Sequence, residues 1–420
     1  SKSTSAMWSK DFQARFGETD FSGNFVLKDP TITGPGPTQE RSVFIQPRAV
    51  AYRASKRTLL VASEGDDALV ELDALSIDPS TGALRVYAVG ANDDEKAETK
   101  CGAPTGVALS ADEKTAWVFC RSNHALATVT LDPLDQVGGD APSVPITTIS
   151  LAADPLPAQA ALGRRLWFNG RDPRMSGGFG CAGCHPEGRD DGHVWHQEEV
   201  ADDKEPHGFR ELMMHSVEVQ NTYETFIGAP RQTPMLAGRV SAQGPYGWRG
   251  NSPTLKHRAL IGFTIHQWGG WSPFGGADER IIRAEALAVF ARTGLRPPPV
   301  DKRPLDEQEE AGKRVFSDPK VGCATCHNPS TEYTDRVSYD LGKLPTVRGR
   351  FVPELPGSKF KTPSLLFLEG RAPYLHDGSA PSLERLVADN QDRMGKTSHL
   401  SEQDRAALVA YLKDFEQRHG

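Results

Sequence analysis

Cys181-Ala182-Gly183-Cys184-His185 recurs further along the chain as Cys323-Ala324-Thr325-Cys326-His327, and these two stretches decide the fold around them. The C-x-x-C-H spacing places two thiols one helical turn apart, so both can add to vinyl groups on one haem edge. The adjacent histidine then lies beneath the iron as its proximal ligand. The pattern predicts two covalently bound haem c groups, attached through Cys181, Cys184, Cys323 and Cys326, with His185 and His327 as proximal ligands.

Other uses of a C-x-x-C pair have to be weighed against haem attachment. One pair alone could be a redox dithiol or half of a zinc site, and the two pairs together could supply four thiolates to one zinc ion. The histidine that directly follows each pair, and the helix predicted before each pair, favour haem. Haem c is attached outside the cytoplasm, so we expect a periplasmic or otherwise exported protein. The first residues, SKSTSAMWSK, contain no signal peptide, and we interpret the chain as a processed form.

The remaining two of the six cysteines are Cys101 and Cys120. In an oxidising compartment, they are expected to form a disulfide that joins neighbouring strands. The alternative is a pair of free, buried thiols.

The composition of the chain argues against nucleic-acid binding and against a transmembrane helix. Its 420 residues carry a net charge of −7, with a pI of about 6.0, and 38% of them are hydrophobic. A nucleic-acid-binding protein usually presents a basic face, which this balance does not favour. No apolar run is long enough for a transmembrane helix.

A repeat occupies part of the first 150 residues. Residues 47–72 (PRAVAYRASKRTLLVASEGDDALVEL) align without a gap with residues 104–129 (PTGVALSADEKTAWVFCRSNHALATV). Short apolar strands separated by polar turns predict antiparallel sheets, and the period is typical of propeller blades. These repeats resemble those of YVTN/lactonase-type propellers; a small β-sandwich is the alternative. The region has room for at most three blades, fewer than a closed propeller needs, so we expect a second polypeptide to complete it.

The rest of the chain predicts helices. Helical patterns precede each motif, at 154–168 with Asp154 as N-cap and at 305–316 with Asp306 and Glu309 in capping-box spacing, and recur at 277–293 and 401–417. The fold class predicted is α+β multidomain, with partial β-propeller-like blades followed by two mostly α-helical cytochrome c domains. The predicted domains are 1–150 (blades), 151–296 and 297–420 (cytochromes), with a Pro-rich linker at 295–304.

A family resemblance supports this interpretation. Phe360–Leu365, Arg371–Ser379 and Pro381–Leu383 closely match the patterns F-K-x-P-S/T-L, A-P-Y-F-H-D-G-S and T/S-L-E of the bacterial di-haem cytochrome c peroxidase/MauG superfamily. Arg231–Leu236 and Tyr246–Gly250 resemble that family's N-x-P-T-x-x-N and F-W-D-G-R stretches more loosely. The resemblance covers about 155–420 and points to a subgroup in which a propeller segment precedes the peroxidase-like part.

The resemblance implies roles for individual residues. The haem on His185 would be the reactive one, and the haem on His327 would pass electrons to it through Trp248. Met394 resembles the distal ligand of the second haem, with His399 as the alternative, or Tyr374 if the site is MauG-like. For the first haem, His196 and His207 are weak distal candidates, as are His193 and His215. An open iron is the other expectation.

The chain departs from the family pattern where the peroxidases carry a Gln and a catalytic Glu. Arg258 and Trp268 occupy those positions, and no carboxylate lies between Trp248 and Asp278. The nearest groups able to transfer a proton are His257 and His266, and we take His266 as the candidate acid/base. Gln232 falls at the asparagine position of the family's calcium site, so one calcium ion is a further prediction.

Three functions follow from these features. The first is a di-haem peroxidase-like oxidoreductase that receives electrons from a donor cytochrome or cupredoxin. The second is a non-catalytic electron-transfer subunit that docks through its blades. The third is a MauG-like oxidase that acts on a partner protein.

Overall fold

The structure is a computed structural model. It describes residues 45–77, 82–90, 101–131, 146–170, 172, 175–176, 180–196, 230–265, 277–299, 303–341 and 359–418. The chain forms two compact units, Ser1–Gly183 with His266–Gly294, and Cys184–Ile265 with Leu295–Gly420. Each unit thus combines segments that are distant in sequence. The sequence-based boundaries at 150 and 296 remain a prediction.

Eight strands of the first unit form two four-stranded antiparallel sheets, each with its strands in chain order. The first sheet contains β1 (Pro47–Arg53), β2 (Thr58–Ser63), β3 (Ala68–Asp73) and β4 (Ala83–Ala88). The second contains β5 (Pro104–Leu109), β6 (Thr115–Cys120), β7 (Ala125–Thr130) and β8 (Ile146–Ser150). The sequence repeats supply the first three strands of each sheet, and β4 and β8 lie beyond them. Antiparallel blade-like sheets followed by a mostly helical region agree with the predicted α+β class.

The core of this β region lies between the two sheets. Side chains alternate between the faces of a strand, so every second residue of β6 and β7 points the same way. Ala116, Val118 and Ala127 form one buried cluster with Leu60 and Leu69 of the first sheet. One face of each sheet is therefore buried against the other sheet.

A disulfide joins Cys101 to Cys120. Cys101 lies before β5 rather than within a strand, and its backbone N–H donates to the carbonyl oxygen of Val89. Cys120 is the last residue of β6. Both side chains are fully buried in the core between the sheets. The bond therefore fixes the segment that connects the two sheets to the end of a central strand.

Replacing both cysteines by serine is expected to lower the free energy of unfolding of the first unit by about 3 kcal/mol, because the unfolded chain regains loop entropy. Urea denaturation under non-oxidising and non-reducing conditions measures the loss. The wild-type protein treated with a thiol reductant serves as the matched control and should lose the same amount. An unchanged unfolding midpoint in the variant would contradict this assignment.

Two pairs of longer helices flank the haem-motif sequences. In the described parts of the chain, the α-helices are α1 (Ala158–Phe168), α2 (Cys181–Cys184), α3 (Leu255–Ile265), α4 (Ala277–Thr293), α5 (Glu307–Ser317), α6 (Cys323–Cys326), α7 (Leu383–Ala388) and α8 (Glu402–Arg418). In the first unit α1 packs against α4, and in the second α5 packs against α8. No helix among the described residues is long and apolar enough to cross a membrane.

Both helix pairs cross at a glycine. A Cβ atom on Gly163 of α1 would lie 2.0 Å from the carbonyl oxygen of Ala286. A Cβ atom on Gly312 of α5 would also lie 2.0 Å from a carbonyl oxygen, that of Ala407. Only glycine permits so close an approach of two backbones. The helix that precedes each C-x-x-C-H motif thus contacts its partner helix in the same way, at a glycine.

The helix starts were predicted with mixed success. Asp306 and Glu309 form the expected capping box, with Asp306 accepting from the Glu309 N–H at 2.8 Å. Asp154 does not cap α1, which begins four residues later at Ala158. Its carboxylate accepts from the Leu156 N–H at 3.0 Å and pairs with Arg164. The Leu156 N–H and the Arg164 side chain thus occupy the carboxylate that the sequence pattern assigned to the start of α1.

Buried ion pairs hold α1 against the sheets of its own unit. Arg165 donates to Asp67 at 2.8 Å, and both side chains are almost fully buried. Asp67 also accepts from the Ala103 N–H at 2.6 Å. Burial raises the pKa of Asp67, and the charge of Arg165 opposes that rise. The helix before the first motif is thereby anchored to the β region.

Candidate haem sites

The two C-x-x-C segments adopt the same local structure. Each forms a single helical turn, α2 or α6, and the histidine follows directly at its C-terminal end. Burial raises the pKa of the Cys181 thiol to about 12 and that of Cys323 to about 11. Burial therefore favours the neutral thiol over the thiolate at both positions.

The zinc alternative gains no support. Among the described residues, no three His, Cys, Asp or Glu side chains gather closely enough to hold a metal ion.

His327 is oriented as an iron ligand requires. Its Nδ1 lies 2.9 Å from the carbonyl oxygen of Tyr333. A carbonyl can only accept, so Nδ1 carries the proton and Nε2 keeps its lone pair for a metal. Burial lowers the pKa of His327, which keeps the ring neutral at neutral pH.

His185 has the corresponding environment. Burial lowers its pKa to about 4, while the charge of Asp191 and backbone hydrogen bonds at Arg189 and Pro234 oppose that change. The positive charge of Arg258 lowers the pKa further. The ring is neutral across the physiological range and therefore suited to bind iron.

A loop that contains Met394 lies beside the second motif. A Cβ atom on Gly395, which has φ +104°, would lie 3.1 Å from Cys323 Sγ. The Lys396 N–H donates to the carbonyl oxygen of Val321 at 2.8 Å. Asn390 fixes the loop by accepting from the Met394 N–H and donating to the Gly395 carbonyl, at 2.9 and 2.6 Å. Met394 is half-buried, whereas the alternative ligand, His399, is exposed.

Trp248 lies at a crossing of two backbone segments. Its indole N–H donates to the carbonyl oxygen of Gln232 at 2.8 Å, and its own carbonyl accepts from the Lys361 N–H at 2.8 Å. The Gln232 N–H in turn donates to the carbonyl oxygen of His376 at 2.7 Å. The indole ring lies edge-on to the His376 ring, with 6.4 Å between centroids. The position of Trp248 is therefore set by hydrogen bonds at both its backbone and its side chain.

His376 was missed by the sequence reasoning. It is buried and stacks on Phe360 at 3.7 Å, and burial followed by the charges of Arg231 and Arg249 lowers its pKa to about 3. A sequence repeat could have revealed it. Residues 245–255 (PYGWRGNSPTL) align without a gap with residues 373–383 (PYLHDGSAPSL), and this alignment places His376 at the position of Trp248. The structure gives both stretches a cis-proline and one isolated bridge, Tyr246 with Ser252 and Tyr374 with Ala380.

Two half-buried cations, Arg258 and Lys361, have the charge that the carboxylates of a haem would need nearby. Burial, followed by the charge of Arg231, lowers the pKa of Arg258 to about 10. Burial, followed by the charge of Arg239, lowers that of Lys361 to about 8. Positive charge withdrawn from water favours an anionic group nearby. The neutral thiols, the neutral histidines and these cations together fit haem c.

Other predicted site residues have different positions. His207 and His266 lie outside the described residues, as do His215 and Trp268. His196 ends the short strand β9 (Val194–His196), and its side chain is not described. His193 is exposed. Tyr374 donates its hydroxyl to the carbonyl oxygen of Leu368 at 2.9 Å. Among the residues whose side chains the structure describes, none is therefore assigned as a sixth ligand of the predicted first haem.

The carboxylates near the first motif make protein contacts. Asp190 pairs with Arg371 at 2.8 Å. Asp191 accepts from the Trp195 indole N–H at 2.8 Å. Gln232 is buried in β10 (Pro230–Gln232), and its carbonyl oxygen is used by Trp248. Calcium at this position remains a prediction.

Comparison with known proteins shows distant homology to MauG and to a cytochrome c peroxidase. No family model matches it. It is 28% identical to the methylamine utilization protein MauG of Methylorubrum extorquens over 308 residues, which cover 62% of this chain and 79% of that protein. It is also 28% identical to MauG of Methylophilus methylotrophus over 306 residues, which cover 61% of this chain and 82% of that protein. A cytochrome-c peroxidase of a Pseudomonas species is 28% identical over 159 residues, which cover 27% of this chain and 41% of that protein.

The chain is also similar to proteins of known structure. A MauG-like protein associated with microbial copper homeostasis covers 63% of this chain and 91% of its own, at 20% identity and a TM-score of 0.42.

Proposed function

Because the chain is a distant homologue of MauG and of a cytochrome c peroxidase, we propose that it is an exported di-haem c-type cytochrome with peroxidase-like oxidoreductase activity. In this proposal, electrons would pass from the haem on His327 to the haem on His185. The observation that carries the proposal is the duplicated site: a cysteine pair on one helical turn, followed directly by a half-buried histidine whose pKa is lowered by loss of solvation. The disulfide agrees with an oxidising compartment outside the cytoplasm.

The two haems supply the redox chemistry when bound. Cys181, Cys184, Cys323 and Cys326 would hold them covalently, and His185 and His327 would be the proximal iron ligands. Trp248, whose orientation is fixed by Gln232 and Lys361, would serve electron transfer between the two sites. His266 would supply the proton that cleavage of peroxide requires. Arg231, Arg258 and Lys361 would offset the negative charge of the haem carboxylates.

A second function is favoured by one observation. No Asp or Glu lies between Trp248 and Asp278, where the peroxidase family carries its acid/base. Without a proton-transferring group, the chain would act as an electron-transfer subunit. A MauG-like oxidase that acts on a partner protein is the third reading, which rests on the relatives alone.

Peroxide separates these functions. The haem-loaded full chain is reduced by one electron, mixed with hydrogen peroxide and followed by electron paramagnetic resonance and optical spectroscopy. An enzyme shows a peroxide-responsive iron and consumes two electrons and two protons per peroxide, from a reduced donor cytochrome or cupredoxin, to give two waters. His266→Ala should then abolish turnover. If both irons are low-spin and their spectra do not change when peroxide is added, the chain is not a peroxidase, and the result supports an electron-transfer subunit.

Met394→Leu tests the distal ligand of the second haem. Loss of the thioether is expected to lower the reduction potential of one haem by on the order of 100 mV, because a thioether ligand raises the potential. The potential of the other haem should stay unchanged. Redox titration followed by optical absorption measures both potentials. His399→Leu, an exposed neighbour, is the matched control; equal effects of the two substitutions would remove Met394 from this role.

A further inference from the structure

The two sheets of the first unit have equivalent positions. Leu69 pairs with Ala62 and with Tyr87 across the first sheet. Leu126 pairs with Phe119 and with Ile149 across the second. The sequence repeat aligns Leu69 with Leu126 and Ala62 with Phe119, and strand register then aligns Tyr87 with Ile149. These residues therefore occupy the same face of successive sheets, which we call the forward face.

The forward face of the first sheet is covered by the second sheet. Its residues Leu60, Leu69 and Tyr87 are at most 1% exposed and share a cluster with Val118 and Ala127. The covering surface is the opposite side of the second sheet, built from alanine and valine. We call this type of surface a back face. Packing inside the chain thus joins a forward face to a back face.

No described residues cover the forward face of the second sheet. Trp117, aligned with Leu60, is 38% exposed; Phe119 is 40% and Ile149 58% exposed. Its two rows of paired residues contain no charge: Gly106, Phe119, Leu126 and Ile149, then Ala108, Trp117, Thr128 and Thr147. Aromatic side chains on an uncharged surface are typical of protein interfaces. After β8 ends at Ser150 the chain leaves the sheets and enters α1.

A second copy of this chain lacks the complementary surface. The back face of its first sheet, formed by Val61, Ala68, Val70 and Leu72, is 7% exposed or less. The back face of its second sheet covers the first sheet. Among the described residues, neither sheet has a free back face to offer.

We propose that the forward face of the second sheet docks a further four-stranded antiparallel sheet, carried by a different polypeptide and presenting a back face of alanine and valine. The occupant continues the stack that the first two sheets begin. Trp117 and Phe119 lie at the centre of the contact because β6 is a central strand of its sheet.

Photo-crosslinking tests this proposal on the full, haem-loaded chain. Trp117→p-benzoylphenylalanine is produced in the organism that encodes the chain, the cells are illuminated, and crosslinked peptides are sequenced by mass spectrometry. The expected adduct is a strand of another polypeptide in which alanine or valine alternates with other residues. Adding Phe119→Lys and Ile149→Lys should reduce the adduct by at least about tenfold.

A photo-probe at Leu75 is the control, because that side chain is 70% exposed and lies outside the sheet face. Unchanged haem absorption and circular dichroism verify that each variant is folded. Four outcomes would overturn the proposal: an adduct with this same chain, no adduct at position 117, an equal adduct from Leu75, or an adduct that survives the two lysines. Sedimentation of the purified chain adds a second check, since a dimer that Phe119→Lys dissociates would identify a second copy as the occupant.

Discussion

Replacing Cys323 and Cys326 together by alanine is expected to remove one of two covalently bound haems and to leave the other in place. The corresponding change at Cys181 and Cys184 should remove the other haem, and the fourfold variant should carry none. The reason is that each haem is held by the two thioether bonds of its own pair. These are the largest functional effects we expect, because each loss removes a redox centre.

The haem-to-protein ratio measures this result directly. The pyridine haemochrome gives haem per chain, and the mass of the denatured protein shows whether haem is covalent. The Cys101→Ser and Cys120→Ser variant is the matched control, because it also loses two cysteines but should keep both haems. Loss of both haems from a single-pair variant would show that the two sites do not load independently.

Gly312→Ala should be the most damaging small substitution in the second unit. The new Cβ would lie 2.0 Å from the Ala407 carbonyl oxygen and 2.7 Å from Tyr411 Cβ, so α5 and α8 must move apart. That movement separates Phe316 from Tyr411, whose rings now contact edge to face at 5.6 Å. We expect a loss of about 3–5 kcal/mol in the free energy of unfolding.

Denaturant unfolding compares this variant with Gly262→Ala. Gly262 lies in α3 and its Cβ would meet nothing within 4 Å, so alanine there should stabilise the helix by up to about 1 kcal/mol. We therefore expect the free energy of unfolding to fall in Gly312→Ala and to rise in Gly262→Ala. Wild-type stability in Gly312→Ala would mean that the helices do not cross at this residue.

Short sequence motifs predicted structure correctly where all the interacting residues lie close together in the sequence. The C-x-x-C-H stretches predicted the one-turn helices, and Asp306 with Glu309 predicted a capping box, because all partners lie within a few residues. Asp154 failed as a cap because Arg164 and the Leu156 N–H occupy its carboxylate. A competing partner that becomes available only on folding is not visible in a local pattern.

Long-range features could be predicted only where a repeat exposed them. The blade-like repeats predicted three strands of each sheet, but β4 and β8 follow loops of different length and have no aligned counterpart. His376 shares its spacing with Trp248, yet its stacking on Phe360 depends on a strand pairing between Ser338–Asp340 and Lys359–Lys361 that no short motif encodes. The disulfide followed from the predicted oxidising compartment, whereas the position of Cys101 outside β5 did not.

The haem content of the wild-type chain tests the central claim most directly. The chain is expressed in a host with haem c attachment machinery, purified under denaturing conditions and analysed by haemochrome absorbance and intact mass. We predict two haems per chain, both retained after denaturation and each on a peptide that contains one C-x-x-C-H motif. A chain that carries no covalent haem, or that instead retains zinc on its cysteines, would contradict the account.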